Sequence, residues 1–273
     1  MTDVKGRTAF ITGGGNGIGL GIARSLAREG VKLALADIDA AGLARAKAEL
    51  QGITSVEAFQ LDVRDRDAYA ETAEAVERAL GPVTLLFNNA GVAGASPVGK
   101  LTYDLWDWYI GINLHGVING VQTFLPKMLK GGQGGHIVNT ASGAGLVAAN
   151  AGVLYTTSKF GVVGMSEALS AELGLIGIGV SVLCPGPVAT DIVQRSMDAA
   201  PKADASLSEA QERRVTEGVA QAIQYLKQGV SIDEVGAMVL KAIQENSLYI
   251  HTDRQAEALI KARTKALLDA MPS

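Results

Sequence analysis

The chain has 273 residues, 48% hydrophobic and 19% charged, enough for one large core, and an α/β domain of this size need not divide, so residues 1–273 are read as a single domain. The formal charge is −4 and Lys and Arg are scattered rather than gathered in a run, which argues against a nucleic-acid partner. No apolar run reaches the ~18 residues of a membrane span, a strand pattern begins where a signal peptide would stand, and the single cysteine, Cys184, permits no internal disulfide, so the expectation is a cytoplasmic protein with no membrane partner.

Residues 7–12 (RTAFIT) form a short apolar run of strand formers, five of the next eight residues are glycine, and a helical pattern starts near Ile18. Strand, glycine turn and helix in that order put backbone N–H groups and the positive end of a helix dipole where a pyrophosphate can sit. An ordinary tight turn is the plainer alternative. The spacing Thr12-Gly13-x-x-x-Gly17-x-Gly19 differs from the general G-x-G-x-x-G fingerprint. It resembles the Thr-Gly-x-x-x-Gly-x-Gly of the short-chain dehydrogenase/reductase family, which implies cofactor contacts at Gly13, Asn16, Gly17, Ile18 and Gly19.

The second strand (VKLALAD) ends in Asp37. A carboxylate at this strand tip accepts hydrogen bonds from the adenosine ribose of NAD and repels the 2′-phosphate of NADP. Asn16 stands before Gly17 and Ile38 follows Asp37, so the cations that would neutralise that phosphate are missing and NAD is the expected cofactor. The alternative for Asp37 is a cap for the helix starting near Asp39.

A helix over 39–51 and a strand over 54–60 lead to Asp62-Val63, the pair that the resemblance places around the adenine ring. After a helix opened by Asp65 comes the strand VTLLF and then Asn88-Asn89-Ala90-Gly91. Small residues at the carboxyl end of a parallel strand leave room for a ligand; a plain Asn/Gly turn is the alternative. The resemblance implies Asn89, Ala90 and Gly91 beside the cofactor. Residues 102–129 read as one long helix whose Trp106 and Trp108 suit a core or a subunit contact. Within its apolar IGINLHGV stretch Asn113 needs partners. The resemblance implies that this asparagine distorts the helix and holds a water behind a catalytic lysine. His115, His136 and His251 show no metal spacing, and no metal site is expected.

The strand over 136–142 delivers Ser142 to a strand end, and a helix over 152–173 carries Tyr155 and Lys159. Positions four apart share a helix face, so phenol and ammonium point into one space. Free tyrosine titrates near ~10, and a base for neutral pH needs about 4 kcal/mol of help, which a fixed cation can supply in part. A surface pair steadying a helix is the alternative. The resemblance implies the catalytic set Asn113, Ser142, Tyr155 and Lys159. Tyr155 is then general base or acid, Lys159 its tuner and a ribose ligand, and Ser142 the partner of the substrate oxygen. It also implies that the turn Pro185-Gly186-Pro187, with Val188 and Thr190, passes the nicotinamide.

The resemblance weakens after Thr190. Residues 191–230 read as an insertion suited to a substrate lid: a polar portion (194–206), then a helix with Val215, Val219, Ala222, Ile223 and Leu226 at helical spacing. Ser231 and Glu234 form a capping box, the strand SLYIHT follows, and 253–270 replaces the family's Asp-Gly-Gly tail with an amphipathic helix bearing Ala256, Leu259, Ile260 and Leu267. Ile192, Val193 and Met197 face a rim of Ala144, Leu146, Val147, Ala148, Ala149 and Val153 that offers no cation to a carboxylate or phosphate. A bulky hydrophobic or aromatic substrate follows. Two alternatives stay open: the lid packs on a neighbouring helix or subunit, or Arg195, Lys202, Arg213 or Arg214 turns inward to bind an anion.

The expected fold is a doubly wound parallel sheet of about seven strands with helices on both faces. The expected activity is reversible NAD-dependent oxidation of a secondary alcohol to a ketone by a homodimer or homotetramer. The rivals are an epimerase or dehydratase, which needs room for a sugar-nucleotide domain, and a non-catalytic NAD-binding regulator.

Overall fold

The computed structural model describes residues 2–148, 151–201 and 209–272, the side chains at 209–212, 214 and 215 excepted. Its strands are β1 (Thr8–Thr12), β2 (Lys32–Asp37), β3 (Val56–Gln60), β4 (Val83–Asn88), β5 (Gly135–Thr140), β6 (Ile178–Cys184) and β7 (Tyr249–His251). All pair in parallel in the order β3-β2-β1-β4-β5-β6-β7. The chain winds outward from β1 in one direction and from β4 in the other, so a crevice opens at the carboxyl ends of these two neighbours. The glycine turn and the Asn88–Gly91 turn form its sides.

The helices are α1 (Gly17–Arg28), α2 (Ala40–Leu50), α3 (Arg66–Leu80), α4 (Tyr103–Ile110), α5 (Gly116–Gly131), α6 (Val153–Leu173), α7 (Ile192–Ala199), α8 (Glu209–Lys227), α9 (Ile232–Glu245) and α10 (Glu257–Asp269). Because parallel strands are covered on both faces, they read as continuous apolar runs, and their alternate residues go to different cores. Ala9, Ile11, Leu33, Leu35 and Phe87 pack with α1, α2 and α9, while Phe10, Ala34 and Leu86 pack with α3 and α5. Each fully buried leucine or isoleucine contributes about 1.5–3 kcal/mol. Helix α1 lies unusually close to α9: a Cβ on Gly21 would fall 2.0 Å from the carbonyl oxygen of Ile232, and one on Gly236 would fall 2.1 Å from that of Gly21. This contact fixes the base of the glycine turn against the sheet.

Local side-chain caps explain four of the helix starts. Asp39 accepts from Gly42 N–H, Asp65 from Ala68 N–H and Thr102 from Leu105 N–H, and Ser231 with Glu234 forms the expected capping box. The long helix read over 102–129 is distorted around Asn113, where the resemblance implied a distortion. Gly111–His115 is one π turn, in which Gly116 N–H reaches back to the Gly111 carbonyl, and it separates α4 from α5. The portion 194–206 read as polar overlaps α7, whose Ser196 is buried, and its residues from 202 on lie outside the described residues. Both ends of the 191–230 excursion meet: Val188 pairs with Val230, with Ala189 N–H on the Val230 carbonyl at 2.9 Å and Val230 N–H on that of Pro187 at 3.1 Å. Helix α10 buries none of its residues, and Leu259 and Leu267 are half exposed. Of its expected apolar face, Ala256 and Ile260 are partly covered and Leu259 and Leu267 are not. No described helix is long and apolar enough to cross a membrane.

Candidate active site

The glycine turn is shaped by a positive φ at Gly13 (64°) and Gly17 (51°), where a side chain is strained. A Cβ at Gly19 would sit 2.1 Å from the Gly13 carbonyl oxygen, so only glycine lets α1 begin this close to β1. The N-terminus of α1 is left without a side-chain cap and without an acidic residue in its first turn. Asn16, in the capping position, turns its Nδ2 to Asp39 Oδ2 instead (3.1 Å). The first-turn N–H groups, including those of Ile18 and Gly19, thus keep their positive field for an anion, which fits a diphosphate. Thr190 closes over this spot, its Cγ2 3.3 Å from where a Gly17 Cβ would be.

Asp37 is buried, with Oδ2 accepting from Gly15 N–H (3.0 Å) and Oδ1 from Asp39 N–H (3.0 Å). Asp39 is the cap of α2, so Asp37 is not, and its carboxylate stays at the strand tip beside the glycine turn. Ile38 next to it is 62% exposed, an open apolar surface suited to a flat ring. The pair that the resemblance places around the adenine ring is tied into the protein. Arg64 holds the Asp62 carboxylate through Nε (3.0 Å) and Nη2 (2.6 Å) and keeps it below the usual carboxylate range. Val63 is buried against Gly116, and its carbonyl accepts from Asn119 Nδ2 (2.8 Å), so its side chain belongs to the core.

The Thr12 hydroxyl ties the two sides of the crevice together. It accepts from Asn89 N–H (2.9 Å) and Ala90 N–H (3.1 Å) and donates to the Phe87 carbonyl (3.3 Å). Asn89 then donates from Nδ2 to the Thr12 carbonyl (3.1 Å) and accepts from Thr140 Oγ1 (3.3 Å), which joins β1, β4 and β5 at their ends. Gly91 lies between two candidate catalytic side chains: a Cβ there would be 3.0 Å from Asn113 Oδ1 and 3.5 Å from Lys159 Nζ. The π turn buries Asn113 completely and aims its amide at the backbone of Val92, accepting from the N–H (2.8 Å) and donating to the carbonyl (3.0 Å). Its Nδ2 also lies 3.3 Å from Ser158 Oγ. A regular helix would turn this amide elsewhere, which accounts for the extra residue in the turn.

Ser142 stands just past β5 and starts a short 3₁₀ turn by accepting from Ala144 N–H (3.1 Å). Gly143 N–H bonds the Pro185 carbonyl (2.9 Å) and Gly186 N–H bonds Thr252 Oγ1 (3.0 Å), so the serine turn and the Pro185–Pro187 turn move as one piece. Tyr155 is half buried, with the Ser142 hydroxyl near enough to oppose a rise in its pKa. Lys159, one turn along α6, is buried with Nζ donating to the Thr140 carbonyl (2.9 Å) and 5.7 Å from the Tyr155 ring centre. Burial sets the ionisation here. It pushes the Tyr155 phenol up, with the Ser142 hydroxyl opposing, and brings the Lys159 ammonium down to about 8. The lysine expected to lower the phenol is itself weakened by desolvation, so further positive charge is needed to bring the phenol into the range of a base. Cys184 sits near Lys159, and burial raises its thiol to about 12, which keeps it neutral. Among the described residues no cluster is suited to a metal ion.

The structure thus brings Asn113, Ser142, Tyr155 and Lys159 to one place beside Gly91 and the Pro185–Thr190 turn. Residues that the sequence reading missed are Ser196, which accepts from Ala93 N–H (2.9 Å), and Tyr109, whose burial beside Tyr155 raises its phenol to about 12. Neither carries a local sequence signal. Around the rim, Ala144 and Val147 are buried while Leu146 and Val153 remain accessible. Ala149, Lys202 and the side chains of Arg214 and Val215 lie outside the described residues.

Comparison with known proteins agrees with this geometry. The short chain dehydrogenase family matches residues 7–201. A C alpha-dehydrogenase of Sphingobium sp. (strain NBRC 103272 / SYK-6) is 34% identical over 99% of this chain and 88% of its own length. A D-threitol dehydrogenase of Mycolicibacterium smegmatis is 38% identical over 74% of this chain and 77% of its own. A crystal structure of a short-chain dehydrogenase/reductase from Burkholderia phymatum in complex with NAD superposes with a TM-score of 0.91 at 33% identity, covering 100% of this chain and 98% of that one. With the motifs, the sheet order and these matches in agreement, the chain belongs to the short-chain dehydrogenase family of oxidoreductases.

Proposed function

We propose that the protein is an NAD-dependent dehydrogenase that interconverts a secondary alcohol and a ketone, with a bulky, uncharged, hydrophobic or aromatic substrate. The observation that carries this reading is the meeting of Ser142, Tyr155, Lys159 and Asn113 at the crevice whose other end holds Asp37 and the uncapped start of α1. The NAD complex of the Burkholderia phymatum relative supports the cofactor. Gly13–Gly19, Asp37, the Asn89–Gly91 turn and Thr190 would hold it, and Ile38 would lie under its adenine. When bound, NAD supplies the hydride acceptor and a positive ring whose field favours the Tyr155 phenolate.

In the oxidation, the Ser142 hydroxyl holds the substrate oxygen next to the Tyr155 oxygen. Tyr155 takes the hydroxyl proton as the carbinol carbon loses its hydride, and a C=O bond forms. The Lys159 charge stabilises the phenolate that starts the cycle. Asn113, set in the π turn, extends the route for the proton toward solvent by way of a water. In the reduction the same phenol gives its proton back.

The substrate class is supported by what faces the site. Ile192, Val193 and Leu146 are partly buried apolar groups at the lid and rim. Arg195 is engaged by Asp39 rather than turned inward, and Arg213 is exposed. The C alpha-dehydrogenase match spans 99% of the chain and so includes the lid and α10, whereas the D-threitol dehydrogenase match spans 74%. Self-association into a dimer or tetramer belongs to the same reading and is checked by light scattering. The deciding assay measures NADH formation with aryl secondary alcohols, polyols and small hydroxy acids. Higher efficiency on the aryl alcohols is expected; higher efficiency on polyols or hydroxy acids overturns the substrate class.

A further inference from the structure

Helix α7 leaves the chain just after Thr190, at the carboxyl end of β6, yet its side chains reach loops far across the sheet. Arg195 Nη2 lies 3.2 Å from Asp39 Oδ2, in the loop after β2. Its neighbour Ser196, buried, accepts from Ala93 N–H at 2.9 Å, in the loop after β4. Consecutive helical residues diverge by about 100°, so the two side chains serve two different directions. In the sheet β2 and β4 are the two neighbours of β1. Helix α7 therefore crosses above the glycine turn of β1 and is tied down on each side of it.

The Asp39 end of this tie is itself built into the cofactor-binding framework. The same carboxylate caps α2 through Gly42 N–H (3.0 Å) and accepts from Asn16 of the glycine turn (3.1 Å), with Arg45 as a second cation at 4.0 Å. Asp39 N–H bonds Asp37 Oδ1, and Asp37 Oδ2 in turn holds Gly15. The strand tip, the glycine turn and α7 are thus one hydrogen-bonded unit.

We propose that Arg195 and Asp39 are a positioning pair that holds α7 closed across the glycine turn, so that retention of the cofactor and closure of the lid are set by one contact. This rests on the NAD-dependent reading above. The side chains are 40% and 29% exposed, so the pair is partly screened and its effect is modest, about two- to fivefold.

Asp39→Asn keeps an oxygen to cap α2 while removing the charge, and Arg195→Gln removes the cation without touching the catalytic groups. Two readouts apply. Hydrogen exchange of the backbone over 191–200 in the ligand-free protein needs no cofactor, and stopped-flow fluorescence gives the NADH release rate. Each single variant is expected to speed both by about two- to fivefold, the double variant to do no more than either single, and Arg195→Lys to restore part of the loss. Raising salt from low to high should speed release from the parent and leave Arg195→Gln unchanged. Unchanged exchange and release in both single variants, or effects that multiply in the double variant, overturn the proposal. A protein that binds no NADH refutes the NAD-dependent reading instead, and hydrogen exchange still judges the pair.

Discussion

Replacing Lys159 by Met keeps the length of a buried side chain and removes its charge. Nζ lies 5.7 Å from the centre of the Tyr155 ring. At an effective dielectric near ~20, a unit charge at that separation favours the phenolate by about 3 kcal/mol, or about a hundredfold in its population at about 1.4 kcal/mol per factor of ten. Because burial has already brought the ammonium down to about 8, this help is present at pH 7 and fades above that value. The variant should therefore lose about a hundredfold in kcat for alcohol oxidation at pH 7 and saturating NAD. The loss should be smaller in ketone reduction, where the phenol already carries the proton to be given. The Thr140 carbonyl also loses its donor, at a cost of about 1–3 kcal/mol in stability, so a thermal melt must show the variant folded at the assay temperature. NADH formation followed by absorbance at saturating cofactor separates kcat from weakened binding. A folded variant whose kcat at pH 7 stays within about threefold of the parent would refute the electrostatic role of Lys159.

Asp37→Ala should shrink the preference for NAD over NADP, since a phosphate about 4 Å from the carboxylate meets about 4 kcal/mol of repulsion and implies a selectivity of about 10²- to 10³-fold; equal kcat/KM for the two cofactors in the parent would sink this assignment. His136 predicts an acid sensitivity away from the active site. It is fully buried, with Nε2 2.8 Å from Ser181 Oγ, and burial pushes it down to about 4 from an ordinary 6.5. The unfolded chain therefore binds the proton first, and the stability present above pH ~6.5 declines as pH falls toward ~4, by about 2 kcal/mol between pH 7 and pH 5. Urea midpoints that do not move over that interval contradict it.

Much of this molecule is legible in its sequence because the physics is local. A glycine turn between an apolar strand and a helix, acidic strand tips and the Ser231–Glu234 capping box each state their geometry within a few residues. Seven parallel strands and the convergence of Ser142, Tyr155 and Lys159 follow from that order of elements. The features that escaped are set by distant partners. At Asn113 the resemblance pointed to a distortion, but its form, a π turn over Gly111–His115, and its partner, the backbone of Val92, are set by a loop distant in sequence. Helix α7 hides in a polar stretch because its buried contact is one serine and its charged contact is an aspartate 156 residues away. Asp62 is held by Arg64, two residues on, a pairing that only the fold of that turn decides. The lysine–tyrosine pair is visible at its spacing, but its ionisation also depends on burial by other elements, which raises the phenol and lowers the ammonium.

The central claim is that the Tyr155 hydroxyl transfers the proton and does not hold the cofactor. Tyr155→Phe removes that single oxygen and leaves the ring in its half-buried place on α6. Steady-state turnover of a secondary alcohol with NAD, measured beside NADH affinity by fluorescence titration, tests the claim most directly. Positioned proton transfer is worth about 10²- to 10⁴-fold. The account predicts a loss of kcat in that range with an NADH Kd within about threefold of the parent. A Tyr155→Phe variant that turns over at a near-normal rate, or one whose only defect is failure to bind NADH, would contradict it.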